Sequence, residues 1–170
     1  MDEVKWLMAR EIPRLRRYAL ALTGDPVAAD DLVQDCLERG IRKRHLWKRQ
    51  GSIRNWLYRI LYTVFINQGM HRRRARRTID VDELPVTPSE PASQEDRLLC
   101  RDIAEAMQHL PGDQRAALVL TALEGLSYDA AADILGIPIG TLRSRLSRGR
   151  ESLRGMLVQE HGPVPLRRVK

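Results

Sequence analysis

Near the C-terminus, Thr141, Arg143, Ser144, Ser147 and Arg148 have types and spacing suited to reading a base edge. Arginine can hydrogen-bond guanine bidentately, and serine is a short donor and acceptor. If this stretch is helical, Leu142, Leu146 and Leu153 form its buried side, while Arg143, Ser144, Ser147, Arg148 and Arg150 face away. A second group is acidic. Asp31, Asp35 and Glu38 recur at i, i+4 and i+7 with Gln34 beside them, which makes either a solvated helix side or a docking stripe. Catalytic patterns are missing. There is no Walker-type glycine loop and no Ser/His/Asp ordering, and His45, His71, His109 and His161 are scattered. Asp30, Asp31 and Asp35 are the only carboxylates clustered enough to suggest a Mg²⁺-dependent nuclease. The expectation is no catalytic residue, metal, cofactor or small-molecule substrate.

The elements that would carry these groups read as helices. Gly24-Asp25-Pro26 is a stop, an N-cap and a first-turn proline. After it, Ala29, Leu32, Val33, Cys36, Leu37 and Ile41 keep the spacing of one buried face. Gly51-Ser52 marks another start, followed by Ile53, Trp56, Leu57, Ile60, Leu61, Val64 and Phe65. Ser93 begins a third, with Leu98, Leu99, Ile103, Ala106, Met107 and Leu110 as its apolar side. Ser127 caps a short helix with Ala130, Ala131, Ile134 and Leu135 inward, and Gly136 ends it. Ile137 plugs the corner and Pro138 opens the next element, the layout of a helix-turn-helix whose second helix enters the major groove. No alternating strand pattern occurs, so the fold class is all-α.

The chain has 170 residues and a net charge of +7, unevenly spread. Residues 1–77 balance at +10, residues 78–97 at −5 and residues 98–170 at +2. The middle segment also holds Pro85, Pro88 and Pro91, which disfavour a helix or a central strand. The expected organisation is a helical domain over 1–77, an acidic flexible linker over 78–97, a helix-turn-helix domain over 98–160 and a mobile tail over 161–170. Aromatic residues at 5% argue against an aromatic-rich β-sandwich or a carbohydrate-binding module. Apolar runs such as Tyr18 to Leu22 are far too short for a transmembrane helix or a signal peptide, so a cytoplasmic chain without membrane insertion is expected. Cys36 and Cys100 read as two buried thiols.

The stretch from Leu110 to Leu153 closely resembles the C-terminal promoter-reading domain of bacterial sigma factors, most of all the extracytoplasmic-function class. The segment Asp30-Asp-Leu-Val-Gln-Asp-Cys-Leu-Glu38 is similar to the family segment that docks on the clamp helices of the polymerase β′ subunit. Trp56-Leu-Tyr-Arg-Ile-Leu-Tyr-Thr-Val-Phe-Ile-Asn67 and the basic run after it resemble the helix that meets the −10 element. The resemblance implies an all-α sigma factor that binds core RNA polymerase through the β′ clamp helices and the β flap. It would read −35 and −10 promoter DNA and be held inactive by an anti-sigma factor.

By this resemblance, −35 DNA falls to Thr141, Arg143, Ser144, Ser147 and Arg148, and core docking to Asp31, Gln34, Asp35 and Glu38. The −10 element falls to Lys48, Arg49, Gln50, Gly51, Ser52, Arg54, Asn55, Arg59, Arg72 and Arg73. The chemistry suits those roles. Gln50, Gly51, Ser52 and Asn55 offer polar partners to an extruded base. Arg54, Tyr58, Arg59 and Tyr62, placed away from the apolar stripe, offer cations and π-faces to a melted strand. The arginines of 72–77 suit phosphates.

The chain departs from the family in carrying Thr63 where Asn is frequent, Asn67 where Asp is frequent, and Gly149 where Ala is usual. Glycine there costs a helix about 1 kcal/mol. A regulator that uses the same helix-turn-helix without joining polymerase is the alternative. It would dimerise on a palindrome, and it leaves residues 25–77 without a role.

Overall fold

The Gly24-Asp25-Pro26 punctuation acts as its residue types dictate. Gly24 adopts φ +70° and donates its N–H to Leu20 O at 2.7 Å, closing α1 (Glu3–Thr23). Asp25 is extended and its carboxylate accepts from the Ala28 N–H at 2.8 Å, capping α2 (Pro26–Arg42). The computed structural model describes residues 3–48, 51–75 and 94–161. Within these, a short 3₁₀ turn (Arg44–Leu46) leads toward α3 (Ile53–Ala75). The later helices are α4 (Gln94–His109), α5 (Gly112–Leu118), α6 (Tyr128–Leu135) and α7 (Ile139–His161). A π-turn at Val119–Leu123 extends α5. There is no strand among the described residues. Arg49, Gln50, Ser93 and most of the expected linker lie outside them, as does the expected tail beyond His161.

Helices α1 to α3 pack as a three-helix bundle around Met8, Leu15, Leu22, Leu32, Leu57 and Leu61, each 2% exposed or less. Burying one such leucine stabilises by about 1.5–3 kcal/mol. The Cys36 thiol lies in the same core, donates to Leu57 O at 3.4 Å and is pushed up to about 12 by burial. In the second half, Leu120, Ile134, Leu142 and Leu146 hold α5, α6 and α7 together. The two cores are continuous: α3 lies along α6, and α1 touches α4, α5 and the π-turn.

Arg115 of α5 ties that seam. It is largely buried with no carboxylate paired to it among the described residues, and burial pulls its guanidinium below the usual range. Its five-donor fork instead reaches carbonyls: Met107 O, Gln108 O and Leu110 O, each at 2.8 Å, and Leu22 O across the seam. These carbonyls lie at the C-terminal ends of α4 and α1, where the helix dipole favours a cation.

Several sequence expectations fail on these helices. Cys100 is exposed, because Leu98, Leu99 and Ile103 of α4 are also left uncovered, at 55%, 40% and 38% exposure. Only the later part of the α4 stripe, Ala106 and Leu110, is buried. Ile41, expected on the buried face of α2, is exposed near its C-terminal end.

Candidate nucleic-acid interface

The exposed side of α7 is assembled from local signals. Ser127 Oγ accepts from the Ala130 N–H at 3.2 Å and starts α6. Gly136, at φ +65°, then donates to Asp133 O at 3.2 Å while Ile137 donates to Ala132 O at 3.1 Å, a Schellman closure. Pro138 O accepts from Leu142 N–H at 3.1 Å as α7 begins. Leu142 and Leu146 are then buried, which fixes the rotation of the helix. Thr141, Arg143, Ser144, Ser147 and Arg148 are all exposed on it. Ser144 Oγ donates to Gly140 O at 3.1 Å, so its hydroxyl presents lone pairs outward. Arg143, Ser147, Arg150 and Arg154 line a shallow basic cleft with Tyr128, whose hydroxyl accepts from Arg150 at 3.4 Å.

Arg145, which sequence reasoning passed over, points the other way. It pairs with Asp113 of α5 at 3.3 Å, and its charge acts on the Tyr62 hydroxyl of α3, which burial holds above the usual range. It therefore anchors α7 rather than presenting a charge outward. Its position between Arg143 and the buried Leu146 was the available signal.

The N-terminal candidates divide. Lys48, Gly51 and Ser52 are exposed, and Ser52 Oγ accepts from the Asn55 N–H at 3.3 Å at the start of α3. Arg54 is held by Glu11 of α1 at 2.8 Å. Arg59 donates to the carboxylate and the main-chain oxygen of Asp133, both at 2.7 Å. Arg72 and Arg73 lie in the last turns of α3. Tyr58 and Tyr62 do not face solvent. They are 0% and 9% exposed, because the C-terminal half covers that side of α3. Burial, then the hydrogen bond to Glu124, pushes the Tyr58 hydroxyl well above the usual tyrosine range. The Tyr18 ring lies 4.9 Å away.

The acidic stripe on α2 is only partly free. Gln34 donates to Glu38 at 3.2 Å, and both border a groove with Ile12, Leu37 and Ile41. At its edge, Arg16 clamps Asp30 bidentately at 2.8 and 3.0 Å and holds that carboxyl below the usual range. Asp31 is exposed. Asp35 is half-buried and accepts from Gln68 of α3 at 2.9 Å, so it braces the bundle. The groove therefore couples an apolar floor to an acidic rim, a combination the charge spacing alone does not reveal. No group of three potential metal ligands occurs among the described residues. No helix among them is long and apolar enough to cross a membrane.

Comparison with known proteins follows the same division of the chain. Residues 8–62 match the family model described as the Sigma2 domain of PhyR, and residues 100–153 match Sigma-70, region 4. The ECF RNA polymerase sigma factor EcfG of Rhodopseudomonas palustris is 34% identical over 156 residues, covering 89% of this chain and 86% of that protein. CarQ, an RNA polymerase sigma factor of Myxococcus xanthus, is 31% identical over 92% of this chain and 90% of its own length. Among solved structures, the sigma factor RpoE of Bartonella quintana, crystallised with the anti-sigma factor NepR, superposes with a TM-score of 0.79. It is 31% identical, and the match covers 92% of this chain and 98% of that one.

Proposed function

Because the chain belongs to the extracytoplasmic-function sigma factors, we propose that it joins core RNA polymerase and selects promoters through two separate helical surfaces. The observation that carries this reading is the exposed row Arg143, Ser144, Ser147 and Arg148, set by the buried Leu142 and Leu146. In this reading α7 enters the major groove at the −35 element, with Arg143 as the bidentate reader. Thr141 lies at the start of that helix, where main-chain N–H groups favour a phosphate.

Residues 1–77 form the region that meets the −10 element through residues 48–55, Arg59, Arg72 and Arg73. Residues 98–160 form the −35 region, and the acidic residues 78–97 connect the two. The α2 groove, with Gln34 and Glu38 on its rim and Ile12, Leu37 and Ile41 beneath, takes the β′ clamp helices. The uncovered Leu98, Leu99 and Ile103 of α4 take the β flap. Phosphodiester chemistry belongs to the polymerase, so the chain acts in the cytoplasm as an initiation factor and not as an enzyme. An anti-sigma factor comparable to NepR holds it inactive, as NepR is seen bound to the RpoE relative.

The match of residues 8–62 to PhyR favours a second reading, a sigma-like decoy, since PhyR of Bartonella quintana is described as an anti-anti-sigma factor. Reconstitution separates them. The purified chain should co-elute with sigma-free core polymerase and start transcription at discrete genomic sites, and Glu38→Arg should abolish co-elution. Capture of an anti-sigma factor without polymerase binding would favour the decoy. Tight DNA binding without polymerase would favour a stand-alone regulator.

A further inference from the structure

Among the described residues, two ion pairs cross the seam between the halves, and in each the carboxylate comes from the C-terminal half and the cation from the N-terminal half. Glu124 is one. The π-turn gives it an unusual aim: the Glu124 N–H reaches Val119 O at 2.9 Å and the Leu126 N–H reaches Leu120 O at 3.0 Å around Gly125, at φ +65°. The wider turn swings Glu124 back onto the N-terminal bundle, where its side chain is only 3% exposed. One oxygen accepts from Arg17 of α1 at 2.8 Å and the other from the Tyr58 hydroxyl at 2.5 Å. A carboxylate is kept this dry only when paired on both sides. Asp133, on the first helix of the helix-turn-helix, is the other carboxylate and holds Arg59. Elsewhere along the seam, a Cβ on Gly112 would lie 3.1 Å from the Phe65 ring of α3.

Arg59 and Tyr58 lie on the helix read above as meeting the −10 strand. Carboxylates of the C-terminal half therefore occupy groups that a nucleic-acid phosphate and its bases would otherwise engage. We propose that Glu124 and Asp133 are an internal phosphate mimic that keeps the C-terminal half over α3 in the free chain, and that single-stranded DNA opens the chain by displacing them. The inference rests on the −10 reading of α3. Opening exchanges two protein ion pairs for phosphate contacts and releases counterions from the strand, so it falls steeply with salt. A merely apolar seam would not respond to a polyanion.

Energy transfer within the full chain tests this, with one dye on the exposed Cys100 and the other on Val27→Cys, at a position 69% exposed. A single-stranded oligonucleotide should lower transfer, while an uncharged-backbone analogue of the same sequence should not. In Glu124→Gln with Asp133→Asn, half-opening should need roughly tenfold less oligonucleotide. Arg59→Glu should open the chain, and adding Asp133→Arg should close it again, a rescue that a folding defect would not give. Oligonucleotide binding without a change in transfer would overturn the proposal. So would an unchanged half-opening concentration in the carboxylate variant. If Arg59→Glu opens the chain yet binds the oligonucleotide as tightly as the parent, the latch stands and the −10 reading of Arg59 falls.

Discussion

Replacing Gly149 of α7 with alanine sets two effects of opposite sign against each other. Helix propensity alone favours alanine by about 1 kcal/mol. The packing opposes it. Gly149 is buried where α7 crosses α5, and a Cβ there would lie 2.8 Å from Leu118 Cδ1 and 3.4 Å from its Cγ. Leu118 is only 5% exposed, so its terminal methyl has little room to retreat. Overpacking of this kind costs about 1–3 kcal/mol. The net expectation for Gly149→Ala is a loss of about 1 kcal/mol, the packing loss less the propensity gain. Urea unfolding of the full chain measures it as a lower midpoint at unchanged m. Leu118→Ala supplies the second arm. Alone it should cost about 2–5 kcal/mol. Combined with Gly149→Ala it should cost less than the sum, because the new methyl fills part of the cavity, with a coupling of about 1 kcal/mol. A stabilisation of about 1 kcal/mol by Gly149→Ala, additive with Leu118→Ala, would refute the packing argument and leave propensity in charge.

Four further outcomes are expected. Arg143→Ala should weaken −35 binding by about 1–3 kcal/mol, while co-elution with core polymerase is unchanged; binding assays on −35 and scrambled duplexes check it. Arg115→Met should destabilise the chain by about 3 kcal/mol in urea unfolding, because the carbonyls at the ends of α1 and α4 lose charged donors. An alkylating reagent should modify the exposed Cys100 in the native protein and reach Cys36 only on unfolding. For Cys36 the native thiol is pushed up to about 12 from 9.0, so folding favours the protonated form. Stability should therefore decline as pH rises past about 9 toward 12.

What could be read from the sequence follows the range of the interactions. The caps at Asp25 and Ser127, the left-handed glycines and the rotation of α7 are set within a few residues, so types and spacing were sufficient to place them. The row from Thr141 to Arg148 follows from Leu142 and Leu146 in the same way. Features decided by a distant partner are not legible in this way. Tyr58 and Tyr62 sit off the apolar stripe of α3, yet the C-terminal half buries them. Leu98, Leu99 and Ile103 keep perfect helical spacing, and nothing described covers them. Asp35 matches the acidic repeat, and the spacing does not show that one of its oxygens accepts from Gln68, far along the chain. The return of Glu124 onto Arg17 and Tyr58 depends on a π-turn, which adds a residue that no 3.6-residue period anticipates.

The two departures on α3 gain meaning from the same geometry. Thr63 and Asn67 lie one turn apart on an exposed strip with Arg59 and, beside the half-buried Ile66, border a groove that reaches Gly136. The Thr63 hydroxyl donates to Arg59 O at 2.8 Å, so its hydrogen is committed to its own helix and only lone pairs remain for a ligand. The amide that family members often place there would offer both a donor and an acceptor. Asn67 offers that pair one turn later, where the frequent aspartate could only accept. Donor capacity has thus moved along α3 by about the length of one turn, ~5.4 Å. On the −10 reading of this helix, the strip keeps its shape and its cation while addressing a different base edge. The −10 preference of this chain should therefore differ from that of relatives with Asn and Asp at these positions, even where their −35 helices agree.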